Sequence, residues 1–97
     1  MEKVALLAWL QAKPGKEQEL SDFLKNALPL AQAETGTVSW YAWQIDDSVF
    51  GIFDTFEAEE GREAHLSGPI AAALMANADT LLAKPPVIEK LNILAAK

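Results

Sequence analysis

One histidine, and one carboxylate set among apolar neighbours, are the residues of this chain best suited to chemistry. His65 is the only histidine among 97 residues. It follows Ala58 by seven positions, and Arg62 and Gly61 by three and four, so on a helix it can turn inward over a sheet. An imidazole with a pKa near about 6.5 can take a phenolic proton near neutral pH. The structural alternative is an N–H satisfied by a backbone carbonyl near the Ser67-Gly68-Pro69 break. Asp54 lies in the segment VFGIFDTF, on the same strand face as Phe50, Ile52 and Phe56. A carboxylate that deep must be paired, or its pKa must rise toward the neutral form, a perturbation found at functional sites. The structural alternative for Asp54 is an ion pair with Arg62 or Lys90.

Aromatic residues gather where strands are expected: Trp9, Trp40, Tyr41 and Trp43. Flat side chains suit a planar aromatic ligand, so one or two of them can line a pocket, with Met75 as an adaptable filler, and alternation does not say which. Core and interface packing compete for the same side chains. Other chemistries fail on inventory. The absence of cysteine excludes disulfides, thiolate metal sites and cysteine nucleophiles. A lone histidine gives no zinc site, and the acids of Glu57 to Glu63 lack calcium-loop spacing. Gly51, Gly61 and Gly68 are isolated and form no phosphate-cradling loop. No metal is therefore expected.

The elements that must hold these residues follow from periodicity. Val4 to Ala12 is an apolar run with only Gln11 polar, stopped by Lys13-Pro14-Gly15, and reads as a strand buried on both faces. Residues 16–34 read as a helix, with Leu20, Phe23, Leu24, Ala27 and Leu28 on one side. Pro29 must kink or divide it near Ala27, and Gly36 ends it. Thr37 to Ile45 and Val49 to Phe56 form a hairpin around Asp46-Asp47-Ser48. Glu57 to Leu66 is a short helix, Pro69 to Ala83 an alanine-rich one, and Val87 to Ala95 the last strand. The order β-α-β-β-α-α-β predicts one α+β domain over residues 1–97, a ferredoxin-like four-stranded antiparallel sheet with its helices on one face.

Burial then bears on assembly. Hydrophobic residues reach 51% and charged ones 23%, which excludes intrinsic disorder. Area scaling for this mass allows about 5,400 Å² exposed in the folded chain. A sheet with one face in water should alternate apolar and polar residues, and the first strand and the hairpin do not. A homodimer whose two sheets pack face to face would cover the second face. Fourteen acids against eight scattered bases give a net charge of -6, which speaks against nucleic-acid and anionic-membrane partners. No apolar run reaches the length of a membrane span and no secretory signal pattern is visible, so a cytoplasmic location is expected.

The chain resembles the antibiotic biosynthesis monooxygenase domain family, the cofactor-free quinol monooxygenase group of the dimeric α+β barrel proteins. Lys13-Pro14-Gly15-Lys16-Glu17 is similar to that family's turn into its first helix. Glu34-Thr35-Gly36 stands where members show Glu-Pro-Gly, followed by Ser39-Trp40-Tyr41. Phe50, Asp54 and Phe56 fall on a Phe, Glu, Trp pattern, and His65, Leu66 and Ser67 on a His-x-Ser segment. Thr35, Asp54 and Phe56 depart from it, and Phe56 lacks the indole N–H of the usual Trp. The resemblance implies oxidation of a small planar phenol or quinol without cofactor. His65 would be base or hydrogen-bond partner, Asp54 an orienting group, and Trp9, Trp40 and Phe56 pocket walls. The departures favour an alternative, a non-catalytic ligand-binding or stress-associated dimer on the same scaffold. A third reading is an isomerase or lyase.

Overall fold

The computed structural model describes residues Met1–Lys97. Its elements are β1 (Val4–Gln11), α1 (Glu17–Asn26), α2 (Leu28–Ala33), β2 (Thr37–Gln44), β3 (Val49–Phe56), α3 (Glu59–Leu66), α4 (Pro69–Leu81) and β4 (Val87–Asn92). The strands form one antiparallel sheet in the order β2-β3-β1-β4. Each half of the chain thus runs from strand through helices to strand, and the two halves interleave as the ferredoxin-like plan requires.

The expected first helix is two. Pro29 has no N–H to donate into the preceding turn, and the chain breaks at Ala27, so the order is β-α-α-β-β-α-α-β. The N–H of Ala27 still reaches the carbonyls of Phe23 and Leu24, which keeps α2 close behind α1. Glu17 and Glu19 stand in the first turn of α1 and Lys25 in its last, matching the helix dipole. Helix α3 starts at Glu59 rather than Glu57, because Ala58 is extended (φ -147°). Gly15, at φ +85°, makes the turn that Lys13-Pro14 begins.

Alternation along the strands decides what faces the helices. Leu6, Ala8, Leu10, Phe50, Ile52, Asp54 and Phe56 point at the helical layer and are all buried. Leu20 and Leu24 of α1 and Leu74 and Leu81 of α4 close the main core over them. Ala27, Ala31 and Ile70 make a smaller cluster, and Trp40 packs against both.

The other sheet face has no helical layer in the protomer, so along that side of β1 Ala5 is buried, Leu7 half-buried and Trp9 open. Trp9 is 36% exposed, Tyr41 59% and Val87 47%. Trp9, Gly51 and Trp43 occupy one row across three strands. The two indoles meet edge to face there, with centroids 5.2 Å apart. Trp43 lies over Gly51 so closely that a Cβ on Gly51 would fall 2.1 Å from its ring. The protomer exposes 5897 Å², roughly 500 Å² more than area scaling gives for its mass. No helix is long and apolar enough to cross a membrane.

Candidate active site

Asp54 is brought to the helical side by strand alternation and is 1% exposed. Across the layer, α3 carries His65 down onto it. The imidazole Nε2 stands 2.8 Å from Asp54 Oδ2, and Nδ1 stands 2.7 Å from Glu34 Oε1. Asp54 Oδ2 and the ring nitrogen facing it thus form a buried ion pair. Glu34 Oε1 also accepts a hydrogen bond from Thr37 Oγ1 at 2.7 Å. The ring of Phe56 packs against the imidazole with centroids 5.6 Å apart. The three charged side chains form a gradient from core to surface, 1% exposed for Asp54, 8% for His65 and 15% for Glu34.

Two close approaches set this geometry. Glycine at 36 and at 61 lets the α2–β2 loop touch α3 backbone to backbone: a Cβ on Gly61 would meet Gly36 O at 2.6 Å, and one on Gly36 would meet Gly61 Cα at 2.9 Å. Any side chain at either position would push α3 away and pull His65 off Glu34. On its other flank α3 is held by Arg62, whose Nη1 donates to the carbonyls of Ala5 and Leu91 while its Nε and Nη2 pair with Glu59. Lys90 pairs with Glu63. Asp54 therefore pairs with neither Arg62 nor Lys90, the two partners its sequence context suggested, because both are committed elsewhere.

The electrostatics follow from the enclosure. Burial opposes charge on His65, but the hydrogen bonds to and negative charges of Asp54 and Glu34 outweigh it and raise its pKa from 6.5 to about 9. At neutral pH His65 is an imidazolium with both ring nitrogens engaged. It therefore acts as a fixed positive charge and hydrogen-bond donor. The free base that could take a phenolic proton is not the resting form.

The structure gathers some of the expected site residues and separates others. His65 meets both Asp54 and Phe56, and Trp40 stands beside Asp54 on β2 as its register partner on the same face. Trp9 stands on the opposite face, with its Nε1 donating to Glu89 at 2.9 Å, so within one protomer it cannot share a chamber with His65. Met75 points outward from α4, 62% exposed. Two residues at the site were missed in the sequence as carriers of chemistry, Glu34 and Thr37. The one available signal was an acid three residues before a Thr at the entry to the hairpin. The Glu34–His65 pair opens on a surface indentation of about 270 Å³ also lined by Thr35, Gly36 and Gly61. A second indentation, of about 240 Å³, lies between α2 and β2 with Leu28, Ala31 and Trp40 among its walls.

No protein-family model and no curated protein matches the chain. Solved structures do. A protein of unknown function from Nitrosomonas europaea is 61% identical, with a TM-score of 0.98, covering 100% of this chain and 94% of its own. A second Nitrosomonas europaea structure, named "putative antibiotic biosynthesis monooxygenase", is 13% identical with a TM-score of 0.85 and covers 95% and 99% of the two chains. One of the same name from Caulobacter crescentus is 18% identical with a TM-score of 0.82, covering 97% and 92%. The chain therefore belongs to one family with the 61%-identical Nitrosomonas europaea protein, a family built on the fold of the antibiotic biosynthesis monooxygenase-like structures.

Proposed function

We propose that the protein is a cofactor-independent monooxygenase that oxidises a small planar phenol or quinol, working as a homodimer joined through the open sheet faces. The observation that carries this reading is the buried Asp54–His65–Glu34 cluster on the helical face, an imidazolium held between a core carboxylate and a second one nearer the surface. Asp54 orients a phenolic hydroxyl and receives its proton as the phenolate forms. The His65 imidazolium offsets the developing negative charge. An electron-rich phenolate then reacts with dioxygen directly. For a hydroquinone, the products are the hydroxyquinone and water, with the substrate supplying all the electrons. Positioning and exclusion of water are the protein's part. The resemblance of the fold to structures of that name supports the reaction class.

The dimer supports the reading because Trp9, Tyr41, Trp43, Phe53 and Val87 lie on one uncovered face. Burying such side chains is worth about 1.5–3 kcal/mol each. The test of function is oxygen uptake by metal-stripped protein with a hydroquinone panel, run aerobically and anaerobically. Oxygen-dependent hydroxyquinone formation that falls at least tenfold in Asp54→Asn is expected. No oxygen-dependent product across the panel would overturn the reading.

A second reading is favoured by the engagement of both ring nitrogens of His65 and by the shallowness of the indentations. On it, the cluster is a structural clamp in a non-catalytic ligand-binding dimer. Aromatic ligands would then raise Tm without oxygen uptake.

A further inference from the structure

One row of the open sheet face carries a hydrogen-bond donor at one edge and an acceptor at the other. The register runs Tyr41–Phe53–Leu7–Glu89 across β2, β3, β1 and β4, and paired residues project to the same side. It is the middle one of the three rows on this face that cross all four strands. Trp9 Nε1 donates to Glu89 Oε1 at 2.9 Å, which holds the Glu89 carboxylate on the open side with a second oxygen to spare. Tyr41, the one tyrosine of the chain, stands 59% exposed at the far edge. Glu89 is the only carboxylate among the strand residues of this face.

Two copies of this sheet that meet face to face are related by a two-fold axis lying between them. With the strands aligned, that axis runs either across the strands or along them. The first stacks β4 on β4, and because the row is central it brings two Glu89 carboxylates together, where burial removes the screening of like charges. The second lays the row on its own copy end for end. Tyr41 of one subunit then stands over Glu89 of the other, and donor meets acceptor at both edges. Stacked sheets lie about 10 Å apart, a gap that a phenol and a carboxylate close from opposite sides. We infer that in the homodimer Glu89 accepts the phenol O–H of Tyr41 of the partner subunit while still holding its own Trp9 Nε1. Symmetry repeats the contact, and the pair sets which way round the two sheets meet. A carboxylate that burial would otherwise penalise gains a second, charge-assisted donor. The dimer itself rests on the proposed function; the choice between its two stackings rests on this row alone.

The test is the dimer dissociation constant, measured by sedimentation near neutral pH for wild type, Tyr41→Phe, Glu89→Gln and the double variant. Both side chains lie on the surface of the protomer, so neither change endangers its fold, and Gln keeps an acceptor for Trp9. Tyr41→Phe should weaken the dimer at least tenfold and Glu89→Gln at least threefold. The double variant should be no weaker than Tyr41→Phe alone, because one bond cannot be lost twice. With tyrosine labelled at ¹³Cζ, the single signal should move upfield in dimeric Glu89→Gln as the charged acceptor is lost. A tighter dimer in Glu89→Gln would mean that the two carboxylates oppose each other, and overturns the inference. Single variants without effect, additive losses in the double variant, or an unmoved tyrosine signal overturn it as well. A wild-type monomer would sink the proposed dimer together with the pair. A wild-type dimer indifferent to Tyr41→Phe would sink the pair and spare the dimer.

Discussion

Glu34 and His65 meet at 2.7 Å although 31 residues separate them. The contact ties the end of α2 to the end of α3 and fixes the imidazole with its second nitrogen toward Asp54. A histidine held between two carboxylates is a charge-bearing part of the fold before it is anything else. Any catalytic account must begin from an imidazolium.

Stability should therefore fall as the solution is made alkaline. His65 titrates near 9 in the folded protein and near 6.5 when free of its partners. Below 6.5 both states carry the proton and the pairing contributes fully; as pH rises through 9 the contribution is lost. The span corresponds to roughly 3 kcal/mol. At fixed protein concentration, Tm should drop by roughly 10 °C or more between about pH 6 and about pH 10. His65→Gln should lack this decline, and a wild-type Tm that is flat over the range would contradict the pairing.

The glycine contact at 36 and 61 makes a prediction of opposite sign to helix propensity. Alanine in place of Gly61 within α3 would ordinarily help a helix by up to about 1 kcal/mol. Here its Cβ would fall 2.6 Å from Gly36 O, a backbone atom. Gly61→Ala should instead destabilise by about 1–3 kcal/mol and lower the His65 pKa as α3 retreats. Chemical denaturation would show it, and a more stable variant would mean that the two backbones are not in tight contact.

The open sheet face predicts a dimer that a single charge disrupts. Phe53 sits mid-face, paired with Leu7 on one side and Tyr41 on the other. Phe53→Lys should weaken association at least a hundredfold in sedimentation runs at micromolar protein while leaving the helical-side core intact. If wild type sediments as a monomer, or the variant as a dimer, the face has another role.

Much of the fold was legible because it rests on local periodicity. Val49–Phe56 is bounded as its alternation and turn residues require, and Pro29 divides the first helical segment where its missing N–H dictates. The inward turn open to His65 and the face that Asp54 shares with Phe50, Ile52 and Phe56 were readable for the same reason, but which face the helices cover was not. What was not legible depends on approach between distant segments. Nothing near Glu34 in the sequence says that α3 will arrive there, since that follows from Gly36 and Gly61 lacking side chains at one crossing. Arg62 and Lys90 were plausible partners for Asp54 until the carbonyls of Ala5 and Leu91 and the side chains of Glu59 and Glu63 claimed them. Trp9 shares the aromatic character of Trp40, but its register row lies on the other face.

The most direct measurement is a ¹⁵N NMR titration of the one imidazole in the chain. A midpoint close to 9, lowered in both Glu34→Gln and Asp54→Asn, is what a cation clasped by two carboxylates must give. A midpoint at or below 6.5, indifferent to both substitutions, would show a neutral ring and contradict the charged site on which the proposed chemistry stands.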